Sequence, residues 1–199
     1  MFNLLEKLNQ TLFMMMNLSQ TAPLWWIKVL AVIADKLIFL IPILLIGLWF
    51  VGNNRTKETL IKATLVTAIA LTLNQIIALF YQHPRPDAMG MGHTFIAHAL
   101  DASFPSDHAT VFASIGLTLC LDRLTKSGFA VLLIGVLVSY ARVSLGVHFP
   151  LDILAAFFVS FISYILSTFF WNQLGNTITS PLIDLYIKIE VYFRSYCNK

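Results

Sequence analysis

Long apolar segments separated by short polar breaks are the feature that most constrains this chain. Several of these segments approach or exceed the ~20 residues that a helix needs to cross a bilayer. Hydrophobic residues make up 58% of the 199 positions and charged residues only 12%. This balance excludes a soluble domain of this length. The sequence therefore predicts an all-α integral membrane bundle of about five transmembrane helices, which forms a single domain over residues 1–199.

The apolar segments place the predicted helices along the chain. The first, Leu24–Val51, is either one tilted helix or an interfacial helix followed by a span from Leu37, and we favour one crossing. The other spans are predicted at about 60–81, 109–121, 129–146 and 150–171. Residues 1–20 have the spacing of an amphipathic interfacial helix and lack the basic region and cleavage site of a signal peptide; a frayed terminus is the alternative for this segment. Residues 172–199 are expected to form another interfacial helix.

Charge placement predicts which end of the bundle faces the cytoplasm. The net charge is only +3, and the basic residues form no stripe with aromatics, so nucleic acid is not an expected partner. Cytoplasmic loops are enriched in Lys and Arg. With five crossings, one side receives most of these residues: Arg55, Lys57, Lys62, Arg123, Lys126, Lys188, Arg194 and Lys199. That side is predicted to be cytoplasmic, which places the amino terminus outside. Cys120 and Cys197 have no pairing motif and are expected to be free thiols.

The chemically active side chains are concentrated in three of the polar breaks. All five histidines lie in or beside such breaks, and ionisable groups are tolerated at membrane level only where they are paired or face water. With the predicted orientation, all three breaks reach the outer face. They are His83–Pro86, Pro105–His108 and the segment from Arg142 through His148 to Asp152.

Two arginines in these breaks indicate an anionic ligand. The planar guanidinium groups of Arg85 and Arg142 match the oxygens of a phosphate. Alternatively, each arginine pairs with an aspartate of the long loop, such as Asp87 or Asp101. Two arginines on one face favour a phosphate or a phosphate-like group.

The second break combines a helix start with a proton donor. Ser106 follows a proline and precedes an apolar run, so it is predicted to be a helix N-cap, which leaves backbone N–H groups available to an anion. His108 lies in the first turn of that helix, where it could protonate a departing oxygen. A structural cap without further function is the alternative for Ser106.

The third break has the spacing of a nucleophile and its orienting group. If Pro150 opens a helix, Asp152 occupies the third helical position, from which it can reach back toward His148. A carboxylate on one imidazole nitrogen fixes the tautomer and leaves the other nitrogen free to attack. Together with the second histidine, the helix start and the arginines, this pair predicts phosphoryl transfer.

Two other interpretations are less consistent with the pattern. A zinc site usually shows closer histidine spacing on one helix, and arginines beside a dication are unfavourable, so we expect no metal and no cofactor. A transporter would carry its ionisable groups along a midplane path, whereas here they lie at one face. His83, His93 and His98 receive no assigned partner from the sequence, and both local loop packing and substrate contact remain open for them.

At these residues the chain resembles the type 2 phosphatidic acid phosphatase superfamily, over about residues 60–170. Its three ordered motifs correspond to Arg85-Pro86, to Pro105 through His108, and to Arg142 through His148 to Asp152. The resemblance implies a metal-independent phosphatase in which His148 forms a phosphohistidine, Asp152 orients it and His108 is the general acid. It further implies that the phosphate is bound by Arg85, Ser106 and Arg142, with Asp107 beside them.

Two departures narrow the resemblance. The usual lysine seven residues before the first motif arginine is Ala78, and the usual glycine of the second motif is Asp107. In both departures the chain resembles the bacterial undecaprenyl-diphosphate phosphatase branch of the superfamily, the bacitracin-resistance type. That branch implies removal of the terminal phosphate from a polyprenyl diphosphate at the outer face of the plasma membrane, which regenerates a lipid carrier for cell-wall synthesis. Hydrolysis of phosphatidic acid or phosphatidylglycerol phosphate is the alternative.

Overall fold

A computed structural model describes residues 2–98 and 101–197. The side chains of Arg194 and Cys197 and the whole of Lys199, which enter predictions above, lie outside this description. The described residues form seven α-helices and a short 3-10 turn, in keeping with the predicted all-α bundle. The helices are α1 (Phe2–Met16), α2 (Leu24–Lys36), α3 (Leu40–Val51), α4 (Asn54–Phe80), α5 (Asp107–Leu121), α6 (Thr125–Ser144) and α7 (Pro150–Cys197), with the turn at Leu37–Phe39.

Among the described residues, four helical runs are long and apolar enough to cross a membrane: Leu24–Val51, Asn54–Phe80, Thr125–Ser144 and Pro150–Phe193. The protein is therefore a multi-pass membrane protein. The first run joins α2 and α3 through the 3-10 turn, in agreement with a single crossing. The third predicted span, at about 109–121, corresponds to α5, which is a shorter apolar helix of 15 residues.

Helix α5 lies at the centre of the bundle. It packs against α4, α6 and α7, and ten of its fifteen residues are buried. Because α5 begins at Asp107 and lies in the middle of the bundle, its first turn is next to the site residues described below.

Helix α4 begins earlier than the sequence predicted, at Asn54 instead of about residue 60. The reason is local, because the side chain of Asn53 accepts a hydrogen bond from the backbone N–H of Thr56 at 2.9 Å and caps the helix. Residues 54–58, which precede the predicted span, thus belong to the helix.

The predicted end of the last span near Trp171 is wrong, because α7 continues without a break to Cys197. Pro181 lies inside this helix and removes only one backbone donor. The carboxyl-terminal residues 172–197 therefore form an extension of the last membrane helix and not a separate interfacial helix. Tyr186 of this extension packs edge-on against Trp49 and Phe50 at the end of α3.

Helix α1 is amphipathic, as expected, and packs on the end of the bundle where α6 ends and α7 begins. Phe13 is fully buried, and its ring lies 5.1 Å from that of Phe149. Asn9 accepts a hydrogen bond from the backbone N–H of Leu151 at 3.0 Å. Leu4, Leu8 and Met15 on the other face are exposed, as is typical of a helix that contacts a membrane surface.

Candidate active site

The link between α6 and α7 sets the spacing of the third motif. Gly146 has a φ of +83°, and two backbone hydrogen bonds, from Gly146 to Val143 and from Val147 to Arg142, both 3.1 Å, close a Schellman turn at the end of α6. A Cβ on Gly146 would overlap the carbonyl oxygen of His93. The turn therefore requires glycine, and it brings the last turn of α6 close to His148.

The start of α7 follows the predicted capping pattern. Pro150 is the first helical residue, and the carboxylate of Asp152 accepts a hydrogen bond from the backbone N–H of Phe149 at 2.7 Å. Asp152 is completely buried. The carboxylate is thus held at the foot of the loop that carries His148.

The imidazole of His148 is fixed through its Nδ1 atom. This atom donates to the carbonyl oxygen of Ser103 at 3.0 Å and lies 3.4 Å from Oδ2 of Asp152. Because a carbonyl only accepts, the proton is on Nδ1 and the lone pair is on Nε2. Burial, followed by the positive charges of Arg142 and Arg85, lowers the pKa of His148 well below its ordinary value of 6.5. The ring is thus kept neutral.

Sequence reasoning assigned the orienting role to Asp152 alone and missed Ser103. The hydroxyl of Ser103 donates to Oδ2 of Asp152, and its oxygen lies 3.4 Å from Nδ1 of His148. The closest partner of the imidazole is therefore the backbone of Ser103, and the carboxylate acts beside it and through the hydroxyl. Nothing in the loop pattern marks this serine, because its role depends on the folding of residues 82–105 over α7.

Arg85 is buried and held in three directions. Nη1 donates to the carbonyl oxygen of Val147 at 2.7 Å, and Nε and Nη2 donate to Oδ1 of Asp101 at 3.0 and 2.8 Å. Partial burial raises the pKa of Asp101, but the hydrogen bond and charge of Arg85 outweigh this and lower it overall. Of the two aspartates weighed as partners, Asp101 forms the pair, and the arginine still lines the pocket.

Arg142 is held by α2 and by the long loop. Nη1 lies 3.4 Å from both the carbonyl oxygen of Ala34 and Oδ1 of Asp35, and Nη2 donates to Nε2 of His98 at 2.9 Å. Neither loop aspartate that was weighed for this arginine is the partner shown. Asp35 of α2 is 107 residues away along the chain.

The second motif forms the wall of the site on the side of α4. Ser106 is the N-cap residue of α5, as predicted, but its side chain makes no capping hydrogen bond. Asp107 accepts from Asn74 at 2.8 Å and from Gln75 at 3.4 Å. His108 follows in the first turn of the helix and lines the pocket.

These elements enclose a pocket of about 170 Å³ at one end of the bundle. It has room for a phosphate group. Five of the seven predicted site residues line it: Arg85, Asp107, His108, Arg142 and His148. Ser106 and Asp152 lie behind its wall and are buried. His98 and Asn74, which sequence reasoning did not assign, also line it.

The other unassigned histidines lie outside this pocket. His83 stacks on Tyr81 and approaches Glu6 of α1 at 3.4 Å. The backbone of His93 exchanges hydrogen bonds with the side chain of Asn17, at 2.7 and 2.9 Å.

Within residues 2–98 and 101–197, no three His, Cys, Asp or Glu side chains converge as a metal site would require. Cys120 carries a free thiol.

Membrane-crossing helices here bring two arginines, three histidines and a helix start together around a phosphate-sized pocket, and this arrangement is that of a membrane phosphatase. The PAP2 superfamily matches residues 59–176, which is more than half of the chain and includes every predicted site residue. The chain belongs to the PAP2 superfamily.

Sequence similarity to individual proteins extends beyond residues 59–176. The chain is 33% identical over 192 residues to the putative undecaprenyl-diphosphatase YbjG of Escherichia coli, covering 96% of this chain and 93% of that protein. It is 32% identical over 162 residues to the undecaprenyl-diphosphatase BcrC of Bacillus subtilis, covering 81% of each chain. Among solved structures, LpxE of Aquifex aeolicus has a similar fold, with a TM-score of 0.64, 24% identity and coverage of 81% of this chain and 94% of that chain.

Proposed function

We propose that this membrane phosphatase hydrolyses undecaprenyl diphosphate to undecaprenyl phosphate, through a phosphohistidine on His148. The observation that carries the chemistry is the state of His148. Its Nδ1–H is bound to Ser103 and lies beside Asp152, while its ring lines the same pocket as Arg85 and Arg142. A neutral imidazole held at one nitrogen presents the lone pair of the other to a bound phosphorus atom.

The proposed reaction has two steps. In the first, Nε2 of His148 bonds to the terminal phosphorus, the bond from that phosphorus to the bridging oxygen breaks, and His108 gives a proton to that oxygen. Undecaprenyl phosphate then leaves. In the second, His108 takes a proton from water, the water oxygen bonds to phosphorus, and the phosphorus–nitrogen bond breaks to release inorganic phosphate. Arg85 and Arg142 neutralise the phosphate charge in both steps.

The shape of the site supports a lipid diphosphate. The 170 Å³ pocket adjoins a groove of about 460 Å³ with which it shares Gln75, Ala78, Arg85, Asp101 and Ala102. The groove also contains Leu79, whose side chain is 74% exposed on the outer surface of α4. A terminal phosphate in the pocket leaves the second phosphate and the first part of the lipid to occupy the groove.

The substrate assignment also draws on the relatives. Two curated proteins that are 32–33% identical over most of this chain carry the name undecaprenyl-diphosphatase, one of them as putative. We propose the same substrate here and a role in recycling the lipid carrier of the bacterial cell wall.

The test is phosphate release from undecaprenyl diphosphate by purified protein in detergent, with and without a chelator. We expect release by the wild type in both conditions, loss in His148→Ala, and near wild-type rates in the control His93→Gln, whose side chain lies outside the pocket. Full activity of His148→Ala would refute the nucleophile, and loss in chelator would refute the metal-free mechanism. Faster turnover of phosphatidic acid or phosphatidylglycerol phosphate than of undecaprenyl diphosphate would overturn the proposed substrate.

We further propose that the site lies on the outer face of the plasma membrane, because the basic residues predominate at the opposite end of the bundle. The orientation can be tested in a variant whose two native cysteines are replaced by serine. A cysteine at the exposed position of Asp87 is expected to react with an impermeant maleimide in intact cells. A cysteine at the exposed position of Lys126 should react only after permeabilisation. The reverse labelling pattern would overturn the orientation.

A further inference from the structure

His98 is a third histidine at the pocket, beside the two used in the proposed reaction. It lies in the long loop and lines the 170 Å³ pocket together with Arg85, Arg142 and His148. Its side chain is 25% exposed, and its ring lies 6.1 Å from that of His148. The imidazole therefore faces the position of the phosphate from the side of the loop.

The contacts of His98 define which of its nitrogens carries a proton. Nη2 of Arg142 lies 2.9 Å from Nε2 of His98, and a guanidinium group can only donate. Nε2 is therefore the acceptor and carries no proton. Nδ1, on the other side of the ring, approaches Oδ1 of Asp101 at 3.6 Å, and this same oxygen accepts from Arg85. The neutral imidazole of His98 thus lies between the guanidinium group of Arg142 and the carboxylate of Asp101.

An entering phosphate reverses the electrostatic preference at this ring. Before binding, the positive guanidinium at Nε2 disfavours a second positive charge on the imidazole. A phosphate dianion between the two groups favours that charge, and Asp101 favours it from the Nδ1 side. The charged and titratable groups around the ring are Asp101 and Arg85 in the loop, Arg142 on α6, Asp35 beside it on α2, Asp107 and His108 on α5, and His148 before α7.

We infer that His98 is a further ligand of the bound phosphate and takes up one proton as the phosphate enters. This inference rests on the proposed phosphatase site. The proton comes from solvent and bonds to Nε2, which then donates to a phosphate oxygen. Nη2 of Arg142 loses its acceptor on His98 and donates to the phosphate instead. Release of phosphate reverses both changes, and no other bond is made or broken.

The experiment measures binding of inorganic phosphate by calorimetry in buffers of different ionisation enthalpy, which also counts the protons taken up. It compares wild type with His98→Gln, His98→Lys and the control His93→Gln. Losing a charge-assisted hydrogen bond should weaken phosphate binding by about tenfold in His98→Gln and remove the additional proton. His98→Lys carries a permanent charge, so we expect affinity within a few fold of wild type, again without that proton. His93→Gln should match wild type in both readouts.

The proton count separates a phosphate ligand from a residue that only supports the loop, because comparison between variants cancels the titration of phosphate itself. Wild-type affinity and proton uptake in His98→Gln would overturn the inference. Full proton uptake in His98→Lys would overturn it as well, and this variant remains informative if His98→Gln does not fold. Binding needs no turnover, so failure of the proposed function, seen as no phosphate release by wild type, is distinguished from failure at His98.

Discussion

At the residue scale, the hydroxyl of Ser103 joins the two residues on which the proposed nucleophile depends. It donates to Asp152, and its oxygen is within 3.4 Å of Nδ1 of His148. Ser103 is completely buried, so its hydroxyl is shielded from bulk solvent. A buried carboxylate that loses a hydrogen-bond donor is destabilised and held less firmly.

We therefore predict that Ser103→Ala lowers kcat by about tenfold, since a loss of 1–2 kcal/mol in positioning corresponds to such a factor. The backbone contact to Nδ1 is retained, and KM should change little because no phosphate ligand is removed. The control is Ser163→Ala, equally buried on α7, whose hydroxyl only bonds the carbonyl oxygen of Val159 in its own helix. An unchanged kcat in purified Ser103→Ala would contradict the positioning role.

The lowered pKa of His148 predicts how stability depends on pH. The native state resists protonation of this ring, whereas the unfolded chain binds the proton near the ordinary pKa of 6.5. Unfolding is then favoured as the pH falls below about 6.5, and this contribution to stability is fully present above that value. We expect the Tm of the wild type in detergent to fall more between pH 7.5 and pH 5 than that of His148→Gln. An equal fall in both proteins would contradict the shift.

At the element scale, a helix end and a helix start separated by five residues place the third motif. The Schellman turn after α6 and the Asp152 cap of α7 leave only residues 145–149 between the two helices. Arg142 in the last turn of one helix and His148 just before the other are thereby held at one end of the bundle. The loop residues Thr94 and Phe95 add hydrogen bonds to the carbonyl oxygens of Gly146 and Leu145, at 3.2 and 3.1 Å.

Gly146→Ala should therefore reduce both stability and activity. A left-handed conformation costs an ordinary residue about 1–2 kcal/mol, and the new methyl group overlaps the carbonyl of His93. The matched control is Gly47→Ala in the middle of α3, where nothing lies within 4 Å of an added Cβ, so helix propensity predicts a neutral or slightly stabilising change. Thermal unfolding and phosphate release in detergent measure both effects. A wild-type Tm and rate in Gly146→Ala would contradict the requirement for glycine.

At the scale of the whole molecule, the end of the bundle opposite the pocket is joined by a buried ion pair. Nζ of Lys62 lies 2.6 Å from Oδ2 of Asp122, and the hydroxyl of Tyr164 donates to Oδ1 of the same carboxylate at 2.8 Å. The cluster connects α4, the end of α5 and α7. Polar side-chain contacts thus join the helices at the end opposite the pocket as well as around it.

Lys62→Met should lower the free energy of unfolding by about 3 kcal/mol, because it leaves the Asp122 carboxylate without its cation in a largely buried place. The rate per folded molecule should stay close to that of the wild type, since the pocket lies at the other end. Lys126→Met, at an exposed position, serves as the control and should change stability little. A large loss of kcat with unchanged stability would contradict this separation of the two ends.

The sequence by itself determined the membrane class, the helices and the motif residues, because these depend on local chemistry. Apolar length decides whether a helix can cross a bilayer, and the Pro150–Asp152 cap arises within a few residues. Local signals failed where helix length depends on neighbours, as at the uninterrupted α7.

Only the tertiary structure decided which side chains support the motif residues. The contacts that do so join residues separated by 33 to 107 positions along the chain. They are those of Arg142 with Asp35 and His98, of Asp107 with Asn74, and of His148 with Ser103. These contacts depend on how helices cross and on how an irregular loop folds over them. Neither property has a periodic signal along the chain, because loop residues are positioned by long-range packing and hydrogen bonding.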